Sequence, residues 1–201
     1  SELISSMTSI LKANPENKKE FLELLLLSSP FMKELFGDKV LQEMFVCRNN
    51  LFSFEHTYFS INKDRLAGML LGYDWQTRQK EYIRTGILLF SRMGIGMLKK
   101  SFLLIRFESA AGKVRKNEYY LSNLAVYNQY QSKGIGRALL EKAENLAKSM
   151  HSEWIVLDVE RENLRALKFY LKYGYRIERE SDVRISGHRK LSFYRMKKRI
   201  V

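Results

Sequence analysis

The residues of this chain best suited to chemistry lie in a short polar loop with the sequence Gln131-Ser132-Lys133-Gly134-Ile135-Gly136. This loop joins a predicted strand, Tyr119 to Val126, to an amphipathic helix that begins near Gly134. Glycine allows backbone conformations that bring N–H groups close to an anion, and a helix start adds unpaired donors and a positive dipole end. The sequence therefore predicts a site for a phosphate-bearing ligand.

The spacing around the loop identifies the kind of phosphate site. The dinucleotide fingerprint does not fit, because Leu139 stands where its third Gly or Ala belongs. The loop fits the pattern Q/R-x-x-G-x-G/A instead, with Leu124-Ala125-Val126 before it and Leu139-Leu140 after it. This combination resembles the acetyl-CoA loop of the GNAT acetyltransferases.

A second motif supports the same resemblance. The run from Trp154 to Val159 is nearly all apolar, which is typical of a strand buried on both faces. Asn163 suits a helix N-cap and Gly174 suits the residue after a helix end. The spacing N-x-x-A-x-x-x-Y-x-x-x-G-[FY], which starts at Asn163 and contains Tyr170, resembles the closing helix of the GNAT superfamily.

The resemblance implies an α/β (α+β) fold in which helices flank a mixed, mostly antiparallel central sheet. We expect a single domain over residues 1–201. Asn14-Pro15 predicts the N-cap and first residue of a helix that runs through Leu27. The remaining predictions are a helix over 38–47 and strands over 7–12, 57–61, 66–73, 177–183 and 191–197.

One segment departs from the family pattern. The segment Trp75 to Gly112 connects the predicted strand over 66–73 to the motif strand over 119–126. The family usually has a short turn at this place. Apolar residues recur there at helical spacing, which predicts a helical insertion. Gly94 and Gly96 weaken a helix and favour a movable cover over the acceptor channel, although simple padding of the sheet stays open.

The resemblance implies acetyl-CoA as cosubstrate, without a metal, and assigns roles to residues. Asn163 would contact the pantetheine arm, and Tyr170 would protonate the departing thiolate. Backbone groups of the motif strand would hold the arm and polarise the acetyl carbonyl, and the loop would bind the pyrophosphate. The cofactor-binding residues of strand and loop would be Leu124, Ala125, Val126, Gln131, Ser132, Lys133, Gly134, Ile135, Gly136 and Arg137.

The implied reaction is direct transfer of an acetyl group to a primary amine of a small molecule or a protein. The sequence leaves the general base open among Glu118, Glu55, His56 and a water molecule. An alternative is a CoA-binding sensor or scaffold without turnover. Nothing in the sequence identifies the amine.

The charge balance bears on partners. Lys and Arg number 35 against 22 Asp and Glu, a net charge of +13. The basic residues are scattered and no nucleic-acid-binding motif appears, so nucleic acid is disfavoured and capture of an anionic cofactor is favoured. A hydrophobic content of 45% excludes a disordered chain.

The remaining sequence features bear on location. Arg92, Lys99 and Lys100 interrupt the apolar run from Ile87 to Ile105, which predicts no membrane span. The single cysteine, Cys47, cannot form an internal disulfide and is expected to be buried within a helix. We therefore expect a cytoplasmic protein, and whether it forms a homodimer stays open.

Overall fold

The computed structural model describes residues 8–96, 112–184 and 190–201. These residues form a seven-stranded sheet flanked by helices. The strands are β1 Thr8–Lys12, β2 Thr57–Asn62, β3 Arg65–Asp74, β4 Glu118–Val126, β5 Trp154–Glu160, β6 Arg176–Arg184 and β7 Lys190–Arg199. The α-helices are α1 Lys18–Ser28, α2 Phe31–Phe36, α3 Asp38–Val46, α4 Trp75–Met93, α5 Ile135–Ser149 and α6 Leu164–Lys172.

The sheet is mixed and mostly antiparallel, which confirms the predicted fold class. Its strand order is β1-β2-β3-β4-β5-β7-β6. The pair β4–β5 is parallel, and the other neighbouring pairs are antiparallel. β4 and β5 are joined through α5, as a parallel pair requires a long crossover. The two sequence motifs therefore lie on neighbouring strands at the centre of the sheet.

Two of the three apolar clusters among the described residues hold most of the helical surface against the sheet. Helices α1 to α4 contribute to the first core, in which Phe21 and Leu41 are fully buried beside Met69 of β3. Helices α5 and α6 contribute to the second, with Leu139 and Tyr170 packed near residues of β4 and β5. The helices are thus divided into two groups, one for each core.

The N-terminal helices differ in detail from the prediction. Asn14 is an N-cap as predicted, and its Oδ1 accepts a hydrogen bond from Glu16 N at 2.9 Å. The first turn is a 3₁₀ helix, however, and α1 begins at Lys18. Helix α2 was not predicted because its six residues are too few to show a helical period. Gly37, with φ +79°, separates α2 from α3.

Cys47 is half-buried beyond the end of α3, rather than buried within a helix. The helix stops at Val46 because the backbone at Cys47 is extended, with φ −82° and ψ 145°. The sulfur of Cys47 lies 3.1 Å from Nη2 of Arg92 in α4. The predicted burial of this thiol is therefore wrong, and the thiol forms part of the contact between α3 and α4.

The predicted insertion is helical in its first half. Asp74 caps α4, and its Oδ1 accepts a hydrogen bond from Thr77 N at 2.9 Å. The helix ends at Met93 because Gly94 adopts φ +54°, outside the helical region. The apolar positions Met97, Leu98, Phe102 and Ile105, on which the prediction of a longer helical segment depended, lie outside the described residues.

Candidate active site

Strands β4 and β5 diverge along their length. Within the described chain, their parallel pairing ends at Tyr120 and Val156. Each strand stays paired for longer with its neighbour on the other side. β4 pairs with β3 as far as Val126, and β5 pairs with β7 as far as Glu160. A wedge-shaped opening, here called the β4–β5 gap, therefore separates the two strands towards their carboxyl ends.

A bulge in β4 explains why the gap opens. Leu71 of β3 pairs with Asn123, whereas the next residue, Gly72, pairs with Leu121, so Ser122 is an extra residue in β4. An extra residue bends its strand and increases the local twist. β4 consequently turns away from β5 just after the last residues that still pair.

The gap offers the edge of a strand to a ligand. Main-chain N–H and C=O groups along an open strand edge can pair with an extended ligand as if it were another strand. Leu124, Ala125 and Val126, predicted to hold the cofactor arm, line the cavity at this gap. The geometry suits a long, thin ligand that enters between the strands.

The glycine loop places a helix start at the mouth of the gap. Gly134 has φ +81° and ψ −7°, a left-handed conformation that glycine adopts without strain, and α5 begins at the next residue. The first N–H groups of a helix have no partner within it. Here Ala138 N is the donor to the Gly134 carbonyl at 3.0 Å, so the N–H groups of residues 135–137 can bind an anion.

The predicted loop residues divide into two groups. Lys133 and Ile135 do not line the cavity: Ile135 is buried in the second core, and Lys133 Nζ lies 5.4 Å from the ring centre of Tyr130. Ile135 can therefore serve a ligand through its backbone alone. The loop residues that do line the cavity are Gln131, Ser132, Gly134, Gly136 and Arg137.

The side chain of Gln131 stabilises the loop itself. Its Nε2 donates to the Val126 carbonyl at 2.9 Å and to Asn128 Oδ1 at 3.0 Å. Arg137 in the first turn of α5 pairs with Glu141 at 2.7 Å. Gln131 therefore fixes the shape of the loop, whereas Arg137 adds positive charge beside the backbone donors.

Helix α6 brings the second motif to the same gap. Asn163 caps it as predicted, since its Oδ1 accepts a hydrogen bond from Ala166 N at 3.0 Å. Asn163 and Tyr170 both line the cavity. Burial raises the pKa of Tyr170 well above its ordinary value, so its phenol stays protonated at neutral pH. Tyr170 is therefore a neutral hydroxyl in the cavity wall, with a proton that can be donated in a hydrogen bond.

Glu118 does not line the cavity. Its Oε2 accepts a hydrogen bond from Arg115 N at 2.8 Å and lies 3.4 Å from Arg195 Nη2, which is almost fully buried. A carboxylate held by these donors stabilises the structure around β4. Its surroundings give no support to the role of general base.

Glu55 and His56 also lie outside the cavity wall. Glu55 Oε1 pairs with Arg48 at 2.9 Å, and its Oε2 accepts from Asn49 N at 2.7 Å. Burial alone would raise the pKa of Glu55, but the Asn49 N–H and the Arg48 charge together bring it below its ordinary value. His56 Nε2 lies 2.7 Å from Glu81 Oε2, so it links α4 to the segment before β2.

Asp158 of β5 lines the cavity and was missed by the sequence analysis. Its Oδ2 accepts hydrogen bonds from Gly112 N at 2.7 Å, Tyr120 OH at 3.1 Å and Arg195 Nη1 at 2.9 Å. Its Oδ1 is buried and has no partner among the described residues. One oxygen is thus saturated while the other can accept a hydrogen bond from a ligand.

A signal for Asp158 was present in the sequence. It is the carboxylate within the otherwise apolar run of β5, and a charge in a strand buried on both faces is costly unless it is paired. The apolar pattern of the run predicts a buried strand and assigns no role to Asp158. The partners that make the charge tolerable, Tyr120 and Arg195, lie 38 and 37 positions away in the sequence.

The gap belongs to a larger cavity of about 1060 Å³. Its wall includes residues of α5 and α6 at one end and residues of α1, α2 and α4 at the other. Pockets for a single drug-sized ligand measure about 300–1,000 Å³. The cavity therefore lies at the upper end of this range.

Comparison with known proteins identifies the class of this site. The sequence pattern of the Acetyltransferase (GNAT) family matches residues 21–175, which include both motifs and the β4–β5 gap. The chain therefore belongs to the GNAT acetyltransferase family, and its class of chemistry is acetyl transfer.

Solved structures agree with this fold. An N-acetyltransferase from Staphylococcus aureus Mu50 is 16% identical with a TM-score of 0.69, over 94% of this chain and 100% of that chain. A Bacillus subtilis acetyltransferase in complex with CoA is 17% identical with a TM-score of 0.55, over 97% of this chain and 99% of that chain. Likeness at these identities shows the shared fold.

A closer sequence match is short. The uncharacterized protein YxbD of Bacillus subtilis (strain 168) is 47% identical over 49 residues, which span 24% of this chain and 31% of that protein.

Among the described helices, none combines the length and apolar character needed to cross a membrane. The described residues also contain no group of three or more His, Cys, Asp or Glu side chains that could bind a metal ion.

Proposed function

We propose that this chain transfers the acetyl group of acetyl-CoA directly to a primary amine of a small molecule or a protein. The observation that carries this proposal is the β4–β5 gap, which has the glycine loop at its mouth and Tyr170 in its wall. An open strand edge, a cluster of backbone donors and a buried proton donor match the three parts of acetyl-CoA: the arm, the pyrophosphate and the leaving sulfur.

The chain's residues would position the cosubstrate, which supplies an activated thioester. The N–H groups of residues 135–137 and the charge of Arg137 would bind the pyrophosphate. Backbone groups of Leu124 to Val126 would pair with the pantetheine arm, and Asn163 would contact it from α6. A backbone N–H of β4 would donate to the acetyl oxygen as negative charge develops there.

The transfer step requires proton movements at the amine, the sulfur and Tyr170. The neutral amine nitrogen forms a bond to the acetyl carbon and gives up one proton to solvent, the carbon–sulfur bond breaks, and the sulfur leaves with the electron pair. Tyr170 regains from solvent the proton that it gives to the sulfur. Asp158 Oδ1 would accept a hydrogen bond from the amine and orient it, and Tyr170 would give its proton to the thiolate. An alkyl amine with a pKa of about 10.4 must first lose a proton, which costs roughly 4 kcal/mol near neutral pH.

Turnover by wild-type protein and the Tyr170→Phe variant tests this proposal. Release of CoA thiol and the mass of the acetylated product would be followed with a panel of primary amines. We expect amine-dependent release by the wild type, and a fall of about 10²–10⁴-fold in Tyr170→Phe because the general acid is removed. Acetyl-CoA affinity, measured by calorimetry, should stay unchanged.

Tyr175→Phe is the matched control. Tyr175 is also buried, its ring centre lies 5.5 Å from that of Tyr170, and its hydroxyl donates to Glu144 Oε1 at 3.3 Å away from the cavity wall. This variant should keep turnover. Acetyl-CoA binding without acetylation of any amine would contradict the proposal and favour a CoA-binding sensor or scaffold.

A further inference from the structure

Helix α4 forms one wall of the cavity at the end away from α5. The part of the cavity lined by α1, α2, α4 and the neighbouring side chains of β3 and β7 is here called the acceptor chamber. It adjoins the gap close to Asp158. Its wall is dominated by large apolar side chains, among them Phe31, Leu35, Tyr82, Ile83, Leu89 and Phe193.

Charge is sparse in the acceptor chamber. Among the described residues of α1, α2, α4, β3 and β7 that line it, Arg78 carries the charge, and the described carboxylates of the cavity, Asp158 and Glu160, both lie on β5. The Arg78 guanidinium lies 4.8 Å from the ring centre of Tyr82, so the cation stays on an aromatic surface. Phe31, Leu35 and Leu89 are buried, and an ammonium group packed against them would lose its hydration without gaining a carboxylate partner from these residues. An apolar group would be stabilised by burial there.

Helix α4 is held firmly in place, so this wall is preformed. Glu81 of α4 is buried and lies 2.7 Å from His56 Nε2. Thr85 Oγ1 accepts a hydrogen bond from Leu51 N at 3.0 Å, and both residues are buried. These contacts favour a fixed wall for the described helix α4.

We propose that α4 makes the acceptor chamber selective for monoamines that carry a large apolar or aromatic group. The amine is held at Asp158, and the apolar group occupies the chamber. This inference rests on the proposed acetyl transfer. It goes further in naming a substrate class and in assigning α4 as the element that selects it.

A matched pair of amines tests the selectivity. Hexylamine and 1,6-diaminohexane have the same carbon chain and differ in one ammonium group. We expect kcat/KM to be at least about tenfold higher for hexylamine, because the second ammonium group of the diamine would lose its hydration in the chamber without gaining a partner. Phenethylamine should exceed spermidine in the same way. A preference for the diamine or for spermidine would overturn the inference while leaving acetyl transfer intact.

A variant of α4 tests the position of the acceptor. Gly86 lines the chamber, and a Cβ added there would meet no atom within 4 Å, so Gly86→Leu adds an apolar side chain at the wall without a clash at Cβ and favours the helix. It should lower kcat/KM for phenethylamine about tenfold or more and leave acetyl-CoA affinity unchanged. Ile87→Leu is the control, because Ile87 is 63% exposed and does not line the cavity.

Calorimetry separates failure of this inference from failure of the proposed function. Phenethylamine should bind the wild type and Ile87→Leu, and bind Gly86→Leu at least tenfold more weakly. That result would support binding of the apolar group in the acceptor chamber even if no amine were acetylated. In that case only the proposed acetyl transfer would be contradicted. Equal phenethylamine affinity in wild type and Gly86→Leu would overturn the inference.

Discussion

Asp158 presents its two carboxylate oxygens to different surroundings. Three donors hold Oδ2, one of them the buried guanidinium of Arg195, while Oδ1 faces no donor among the described residues. A buried acceptor without a partner is costly. The arrangement is therefore best explained by a ligand that supplies the missing hydrogen bond, and in the proposed reaction this ligand is the amine.

Asp158→Asn should weaken the use of the amine and spare acetyl-CoA. Hydrogen bonds to charged groups contribute about 1.5–3 kcal/mol, so kcat/KM for the amine should fall about 10- to 100-fold. Acetyl-CoA affinity should not change, because the residues proposed to bind it lie in β4, the loop and α6. Steady-state kinetics with each substrate varied in turn would measure both effects.

Glu118→Gln is the matched control for this variant. Each substitution removes one buried carboxylate partner of Arg195, so each should lower the melting temperature. Glu118 does not line the cavity, so its variant should keep the KM for the amine. Equal kinetic losses in the two variants would mean that Asp158 acts through stability alone.

At the scale of single residues, local signals were predictable and distant ones were not. Asn163 as a cap and Gly134 at a helix start follow from residue type and the neighbouring sequence, and both are observed. The role of Asp158 depends on Tyr120 and Arg195, which only folding brings to it. Ile135 is the opposite case, because its place in the motif hid the burial of its side chain in the core.

Among the elements, the extra residue of β4 and the start of α5 together define the cosubstrate site. The bulge at Ser122 opens the gap, and the left-handed Gly134 directs the chain into α5 at the mouth of that gap. The strand bounds were predicted to within two residues, whereas the start of α1 and the whole of the short helix α2 were not predicted. The bulge was not predicted, since it exists only in the pairing of β4 with β3.

Two substitutions at Gly134 test the anion site at the start of α5. Aspartate and asparagine both tolerate the left-handed conformation better than most residues, and a Cβ at Gly134 would meet no atom within 4 Å. Charges about 4 Å apart near a protein surface interact by up to ~4 kcal/mol before salt screening. Gly134→Asp should therefore bind acetyl-CoA about 10- to 100-fold more weakly than Gly134→Asn by calorimetry.

The comparison of the two Gly134 variants isolates charge from shape. Both add a side chain of the same size, so any loss common to them reports steric or backbone effects. The difference should shrink at high salt, because the interaction of exposed charges is screened. Equal affinities of the two variants at low salt would place the phosphates of the ligand elsewhere.

In the whole molecule, the cavity connects the surroundings of the two helix groups. Residues of α5 and α6 line the end proposed for acetyl-CoA, residues of α1, α2 and α4 line the end proposed for the acceptor, and the β4–β5 gap joins them. The net charge of +13 would speed the capture of an anionic cosubstrate. The net charge can be predicted from the composition. The separation of the two binding ends cannot, because it depends on which strands are neighbours in the folded sheet.

Amide hydrogen exchange with and without CoA tests the central claim most directly. If the ligand pairs with β4 and binds at the start of α5, exchange should slow in residues 121–126 and 132–137. The β2–β3 hairpin, which lies beyond this cavity end, should exchange at the same rate in both states. Protection confined to other segments, or none at saturating CoA, would contradict the assignment of the β4–β5 gap as the acetyl-CoA site.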